Sequence, residues 1–236
     1  MTIRAVVFDA YGTLFDVYAI TEKLESFCPG QGNLIAQLWR DKQIEYSRLV
    51  SLCDPNPNAG SRYYESFWSI TTKALDYALR RFGVSLTAAQ TEELLNQYHA
   101  LDSFTESTEV LRALKQLGLT TAIFSNGDPG MLGAAVARAA LGSIIDRVIS
   151  VDQVGHFKTM PQTYALVEAQ IDIPPMQTLF VSGNGWDVLG AQWFGFQTCW
   201  INRAGLPVET LGPQPHHTGP DLTVVLEVVA KVNGRA

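Results

Sequence analysis

Ala5-Val6-Val7-Phe8-Asp9-Ala10-Tyr11-Gly12-Thr13-Leu14 opens the chain with four apolar residues, one carboxylate and a turn. The first four residues show no alternation of apolar and polar positions, which is how a strand buried on both faces reads. Such strands belong to parallel sheets covered by helices. In an open α/β sheet the ligand crevice lies off the carboxyl ends of the strands. Asp9 therefore stands where chemistry is done. An isolated Asp ahead of Gly-Thr is ordinary turn chemistry, so the weight of Asp9 depends on the rest of the chain.

Further short apolar runs occur at Thr120–Phe124, Val148–Val151, Thr178–Val181 and Gln197–Ile201. Helical patterns alternate with them at Thr108–Leu117, Gly130–Ala140, Pro161–Ala169 and Val188–Phe194. This alternation predicts an α/β, doubly wound parallel sheet. Between the first two runs lies a long strand-free segment with helical periodicity through Leu34, Leu38 and Trp39, then Phe67, Ile70, Ala74 and Leu75, then Leu94, Leu95 and Tyr98. The expected organisation is a core of residues 1–18 and 102–236 carrying an inserted helical cap, residues 19–101. Cys53–Gly60, dense in turn formers, is expected to be an exposed cap loop, and Gly205–Pro220 a Pro- and Gly-rich loop. The pair His216-His217 in that second loop is expected to be solvated rather than metal-binding.

A net charge of −6 and a pI near 5.2, with no basic run, oppose a nucleic-acid partner, because phosphate binding needs a concentrated Lys/Arg footprint. No stretch approaches the ~20 apolar residues of a membrane helix, so no membrane partner is expected. The first residues offer no cleavable signal, and the expected location is cytoplasmic. Three widely spaced cysteines, Cys28, Cys53 and Cys199, fit neither a disulfide framework nor a metal knuckle.

Asp9 is not isolated. The second run ends Ile123-Phe124-Ser125-Asn126-Gly127, the third is followed by Gly155-His156-Phe157-Lys158, and the fourth continues Val181-Ser182-Gly183-Asn184-Gly185-Trp186-Asp187. The insert contains Leu38-Trp39-Arg40-Asp41-Lys42-Gln43-Ile44-Glu45-Tyr46. With these segments in this order the chain resembles the haloacid dehalogenase superfamily over nearly its whole length. Within it, the chain resembles the L-2-haloacid dehalogenases, which have a Rossmann-like core and a helical cap. Superfamily phosphatases carry a second Asp two residues after the nucleophile to protonate an alkoxide, whereas Tyr11 stands there, and a halide needs no proton to leave. They also hold Mg²⁺ with a Gly-Asp pair, which is Ser182-Gly183 here. The Asp9 and Asp187 that remain serve a hard cation poorly.

The resemblance implies Asp9 as nucleophile and Thr13 as the residue holding it. Arg40 and Asn126 receive the halide, while Ser125 and Lys158 bind the substrate carboxylate or orient the reacting oxygen. Tyr164 supports Lys158 by a hydrogen bond, Asp187 is the base for ester hydrolysis, and Ser182 and Asn184 orient the water or Asp187. The implied substrate pocket consists of Ala10, Tyr11, Arg40, Ile44, Phe67, Ser125, Asn126, Lys158 and Trp186. Against this, an arbitrary Arg on a polar helix face pairs with a surface carboxylate, and aromatic residues at helical spacing are more often plain core. The implied activity is metal- and cofactor-free hydrolysis of short (S)-2-haloacids to (R)-2-hydroxyacids, with haloacid and halide as ligands and a homodimeric assembly. A Mg²⁺-dependent phosphatase and a silent ligand-binding homologue are the alternatives. Lys158-Thr159-Met160-Pro161 replaces the common Lys-Pro, so the loop there is expected to take a different path. Two further departures touch the substrate side: Asp41 follows Arg40 where relatives often carry Gln, and the turn-rich Cys53–Gly60 segment looks like an added cap loop.

Overall fold

β1 (Ala5–Phe8) is buried along its whole length and lies inside a six-stranded, all-parallel sheet. The structure, a computed structural model, describes residues 2–55 and 60–234. The other strands are β2 (Thr120–Ser125), β3 (Arg147–Ser150), β4 (Thr178–Ser182), β5 (Gln197–Ile201) and β6 (His217–Gly219), in the order β3-β2-β1-β4-β5-β6. β1 pairs with β2 on one side, Phe8 opposite Ile123, and with β4 on the other, Phe8 opposite Val181. The strand order reverses at β1, so the crevice expected of this topology opens beside Asp9.

Among the described residues five α-helices stand between β1 and β2: α1 (Tyr18–Phe27), α2 (Gly32–Leu52), α3 (Phe67–Arg81), α4 (Ala88–Asn96) and α5 (Ser107–Gln116). Ser66 caps α3 through Ser69 N, and Thr87 with Gln90 forms a capping box on α4. The other α-helices are α6 (Pro129–Arg138), α7 (Pro161–Ile171), α8 (Gly185–Phe194) and α9 (Val224–Val232). Asp128 and Pro129 start α6 as N-cap and first-turn proline. Gly195 ends α8 at φ 115°, in the region that favours glycine.

The structure revises several local expectations. On α2 the buried stripe is not Leu34-Leu38-Trp39: Leu34 is exposed, and burial runs through Ile35, Trp39, Gln43, Ser47 and Ser51. Polar residues can lie inward there because each finds a partner. Gln43 donates to Thr71 Oγ1 at 2.8 Å and accepts from Tyr98 OH at 3.1 Å, while Trp39 Nε1 donates to Thr71 O at 2.8 Å. The Gly205–Pro220 segment is not all loop, since it contains β6, which pairs with β5 from Cys199–His217 to Ile201–Gly219. His217 belongs to that strand, and the exposed His216 meets the Thr198 N–H through Nδ1 at 3.2 Å. Three residues are too short for the strand to stand out from its loop in sequence. In the Cys53–Gly60 segment Asp54 is buried and accepts from Arg62 N at 2.6 Å, so that loop is only partly exposed; residues 56–59 lie outside those described. Among the described residues no helix is long and apolar enough to cross a membrane.

Candidate active site

Asp9 follows β1 directly, and its N–H donates to Val181 O at 2.9 Å. The chain then turns back, with Thr13, Leu14 and Phe15 all donating N–H to Ala10 O and Gly12 at φ +81°. That turn brings Thr13 Oγ1 to 3.1 Å from Asp9 Oδ2, to which it donates, while Gly183 N donates to the same hydroxyl at 2.8 Å. The turn and the end of β4 approach so closely that a Cβ at Gly183 runs into Gly12 O. Asn184 Nδ2 donates to Asp9 Oδ2 at 2.8 Å and to Tyr11 O at 3.3 Å, and Ser182 Oγ lies 3.4 Å from Asp9 Oδ2. Ser182 and Asn184 thus grip Asp9 directly, whereas their implied role lay with a water or Asp187.

Lys158 is 1% exposed, and its three N–H groups donate to Asp9 Oδ1 at 3.1 Å, Asp187 Oδ2 at 2.8 Å and Phe124 O at 2.8 Å. One ammonium thus sits between two buried carboxylates. Burial pushes the Asp187 carboxyl up to about 6, and repulsion by Asp9 adds to this while attraction to Lys158 opposes it. Tyr164 OH donates to Asp187 Oδ1 at 2.8 Å. This corrects the direct Tyr164–Lys158 bond implied by the resemblance, since Tyr164 reaches Lys158 only through Asp187. A hydroxyl facing an ammonium that has spent all its donors gains more from the carboxylate beside it. Asn126 Oδ1 accepts from Lys158 N at 2.9 Å, and Ser125 Oγ from Gly127 N at 3.1 Å. These two residues therefore shape the loops around the site. The Lys158–Thr159 peptide is cis.

Helices of the insert between β1 and β2 lie against these residues. Arg40, half-buried on α2, donates from Nη2 to Asn184 Oδ1 at 3.2 Å, so it joins the site rather than a surface carboxylate. Tyr11 is packed against Phe15, Phe67 and Tyr98 with ring centroids 6.4, 6.4 and 5.9 Å away. Its hydroxyl is buried without a hydrogen-bond partner, and its pKa is raised by burial first, then by Asp128. Phe67 also meets Phe157 at 6.0 Å, and Ala10 is fully buried. Ile44, Trp186, Arg40 and Asn184 line an open cleft of about 490 Å³, while Arg40, Trp39 and Tyr98 line a second cavity of about 280 Å³.

Hydrogen bonds join nine of the ten implied catalytic residues into one network about Asp9 and Lys158, while Ser125 stands at the end of β2 and accepts from Gly127 N. Sequence reading did not identify the Phe124 carbonyl or the Gly183 N–H, because main-chain groups carry no side-chain signature. It also passed over Asp128, although Asp128-Pro129 is a legible helix start. The donor set suits displacement chemistry: a carboxylate held by neutral donors, a cation beside it, and a second buried carboxylate with raised proton affinity.

A family model described as haloacid dehalogenase-like hydrolase matches residues 3–195 of the chain. The (S)-2-haloacid dehalogenase of Pseudomonas sp. (strain YL) is 38% identical over 234 residues, 99% of this chain and 97% of that protein. The (S)-2-haloacid dehalogenase of Xanthobacter autotrophicus is 42% identical over 201 residues, covering 85% of this chain and 76% of its own. Among solved structures, the L-2-haloacid dehalogenase RSc1362 superposes with a TM-score of 0.93 at 45% identity, covering 97% of this chain and 99% of that one. The L-2-haloacid dehalogenase from Xanthobacter autotrophicus with chloropropionic acid covalently bound superposes with a TM-score of 0.85 at 37% identity, covering 97% and 98%.

Proposed function

Because the chain belongs to the haloacid dehalogenase-like hydrolase family, we propose that it hydrolyses short (S)-2-haloacids to (R)-2-hydroxyacids through an ester on Asp9, without a metal ion. The observation that carries this reading is the asymmetric grip on Asp9. Oδ2 accepts from Thr13, Asn184 and Ser182, whereas among the described residues Oδ1 accepts from Lys158 alone and keeps a lone pair for carbon. A solvated carboxylate is a poor nucleophile, and holding it in line with a carbon–halogen bond is worth ~7 to 11 kcal/mol in well-oriented systems.

In the proposed first step Oδ1 attacks C2, a C–O bond forms with inversion, and the halide leaves with the bonding pair. Arg40 receives it together with Asn126, whose amide N–H groups remain for an anion because its carbonyl oxygen is taken by Lys158 N. Water then adds to the ester carbonyl while Asp187 takes one of its protons. As the tetrahedral centre collapses Asp187 returns that proton to the departing hydroxyacid oxygen, and the restored Asp9 carboxyl gives its own proton to solvent. A carboxyl with pKa about 6 is a better base than an ordinary Asp and is still ionised at neutral pH. The Lys158 ammonium stands between the two carboxylates, the ground that a divalent cation needs. On the same reading residues 19–101 act as a cap over the core, the protein works in the cytoplasm, and it assembles as a homodimer.

The test is a single turnover in ¹⁸O water with each enantiomer of 2-chloropropionate, with and without a chelator. Label is expected in Asp9, only the (S) substrate should react, and the chelator should change nothing. Label appearing first in the hydroxyacid rules out the ester, and loss of activity with chelator favours the metal-dependent alternative.

A further inference from the structure

We infer that Arg48, with Trp186, forms an outer site for a small monovalent anion at the mouth of the cleft leading to Asp9; this rests on, and deepens, the dehalogenase reading. Arg40, Ile44 and Arg48 follow one another at intervals of four on α2, so all three present to the same face. All line the cleft of about 490 Å³, whose opposite wall is Asn184 and Trp186. Arg40 and Arg48 lie two helical turns apart, ~12 Å along the axis, and meet different residues of the opposite wall, Asn184 and Trp186.

The two guanidinium groups are held differently. Arg40 is tied to Asn184 and through it to Asp9, whereas Arg48 lies 5.3 Å from the Trp186 ring centroid and has no carboxylate within 4.0 Å among the described residues. Resting on an aromatic ring leaves its N–H groups for an anion. Its charge also reaches inward: burial holds the Tyr164 hydroxyl pKa well above the ordinary value, and Arg48 pulls against it. Among the rim carboxylates Glu45 is taken by Lys42 at 2.6 Å, while exposed Asp41 and Glu209 remain beside the cleft. These two carboxylates oppose negative charge on a ligand, and the opposition grows with each added charge, so a monoanion is favoured over a dianion. The reaction uses one anion and releases two, a halide and a hydroxyacid, so a cation at the mouth serves both entry and exit.

Crystals of the Asp9→Asn variant soaked in sodium bromide, and separately in sodium 2-bromopropionate, report the site by anomalous scattering from bromine. A peak beside the Arg48 guanidinium is expected in at least one soak, identifying halide or haloacid as the occupant; no peak in either overturns the site. In solution Arg48→Gln is expected to lower kcat/KM for 2-chloropropionate about tenfold, almost all of it in KM, with Arg48→Lys recovering most of the loss. A peak without any change in KM means an adventitious ion only, and a loss that falls in kcat places Arg48 in the inner machinery. Either overturns the proposal. If the wild-type protein releases no halide from any 2-haloacid, the dehalogenase reading fails, while the bromide soak still decides the outer site.

Discussion

Lys158 commits all three of its N–H groups to Asp9, Asp187 and Phe124 O, and this makes it a structural residue as much as a reactive one. Removing the cation leaves two buried carboxylates with no counter-charge, a change that costs about 3–5 kcal/mol in comparable buried pairs. Lys158→Met is therefore expected to lose stability by that order in urea unfolding at neutral pH, as well as halide release. The sign of its pH dependence follows from Asp187: without the ammonium the attraction that opposes its upward shift is gone, so the folded state binds a proton there more readily. The deficit should be largest where Asp187 is ionised and shrink as the pH falls. A variant as stable as wild type at neutral pH contradicts this placement.

Asp187 gives a second pH dependence, in catalysis. Its carboxyl is pushed up to about 6, chiefly by burial, and the base must be ionised to take a proton from water. Esterification of Asp9 removes the repulsion that helps to raise Asp187, so ester hydrolysis is expected to slow as the pH falls below about 6. Quenched-flow mass spectrometry at pH 5 should then show ester accumulating on Asp9, with a burst of halide larger than steady turnover supplies. A steady rate unchanged between pH 7 and 5 rules out Asp187 as the base.

The insert between β1 and β2 meets the rest of the chain at specific hydrogen bonds, and Asp128 makes one of them while also capping α6. One carboxylate oxygen caps α6 through Met131 N at 3.0 Å, and the other accepts from Trp68 N in the first turn of α3 at 3.3 Å. A single negative charge is thus shared by two helix N-termini, one outside the insert and one within it, where the helix dipoles favour it. Further links are Ser51 Oγ accepting from Phe157 N at 2.8 Å and Tyr64 OH donating to Asp152 Oδ1 at 2.9 Å. Asp128→Ala is expected to cost about 1 kcal/mol for the lost cap, measured by urea unfolding, and to raise KM by loosening the insert beside Asp9. Asp128→Asn keeps an accepting oxygen for α6 and should recover most of the stability.

Over the whole molecule, the sheet order sets Asp9 between β2 and β4, and the insert between β1 and β2 closes above it. α2 also leaves Leu34, Leu49 and Leu52 exposed. Their apolar surface supports the proposed homodimer, and light scattering is expected to give a mass of twice 25.9 kDa. A monomer mass at micromolar concentration contradicts it.

The strands could be read from the chain because burial on both faces leaves an unbroken apolar run whatever surrounds it; Ala5–Phe8 and Gln197–Ile201 appear with the ends expected of them. Asp9, Ser125 and Ser182 stand at or just past strand ends, which converge in this topology, whereas Arg40 on α2 and Tyr164 on α7 were pointed to by the resemblance alone. Partner choice was not legible. Tyr164 bonds to Asp187 rather than Lys158, Gln43 turns to Thr71, and Ser182 turns to Asp9. Periodicity is a property of neighbours along the chain, whereas these bonds join residues tens to more than a hundred positions apart. Which donor meets which acceptor depended on how helices and strand ends came to lie against one another, and only the folded chain specified that.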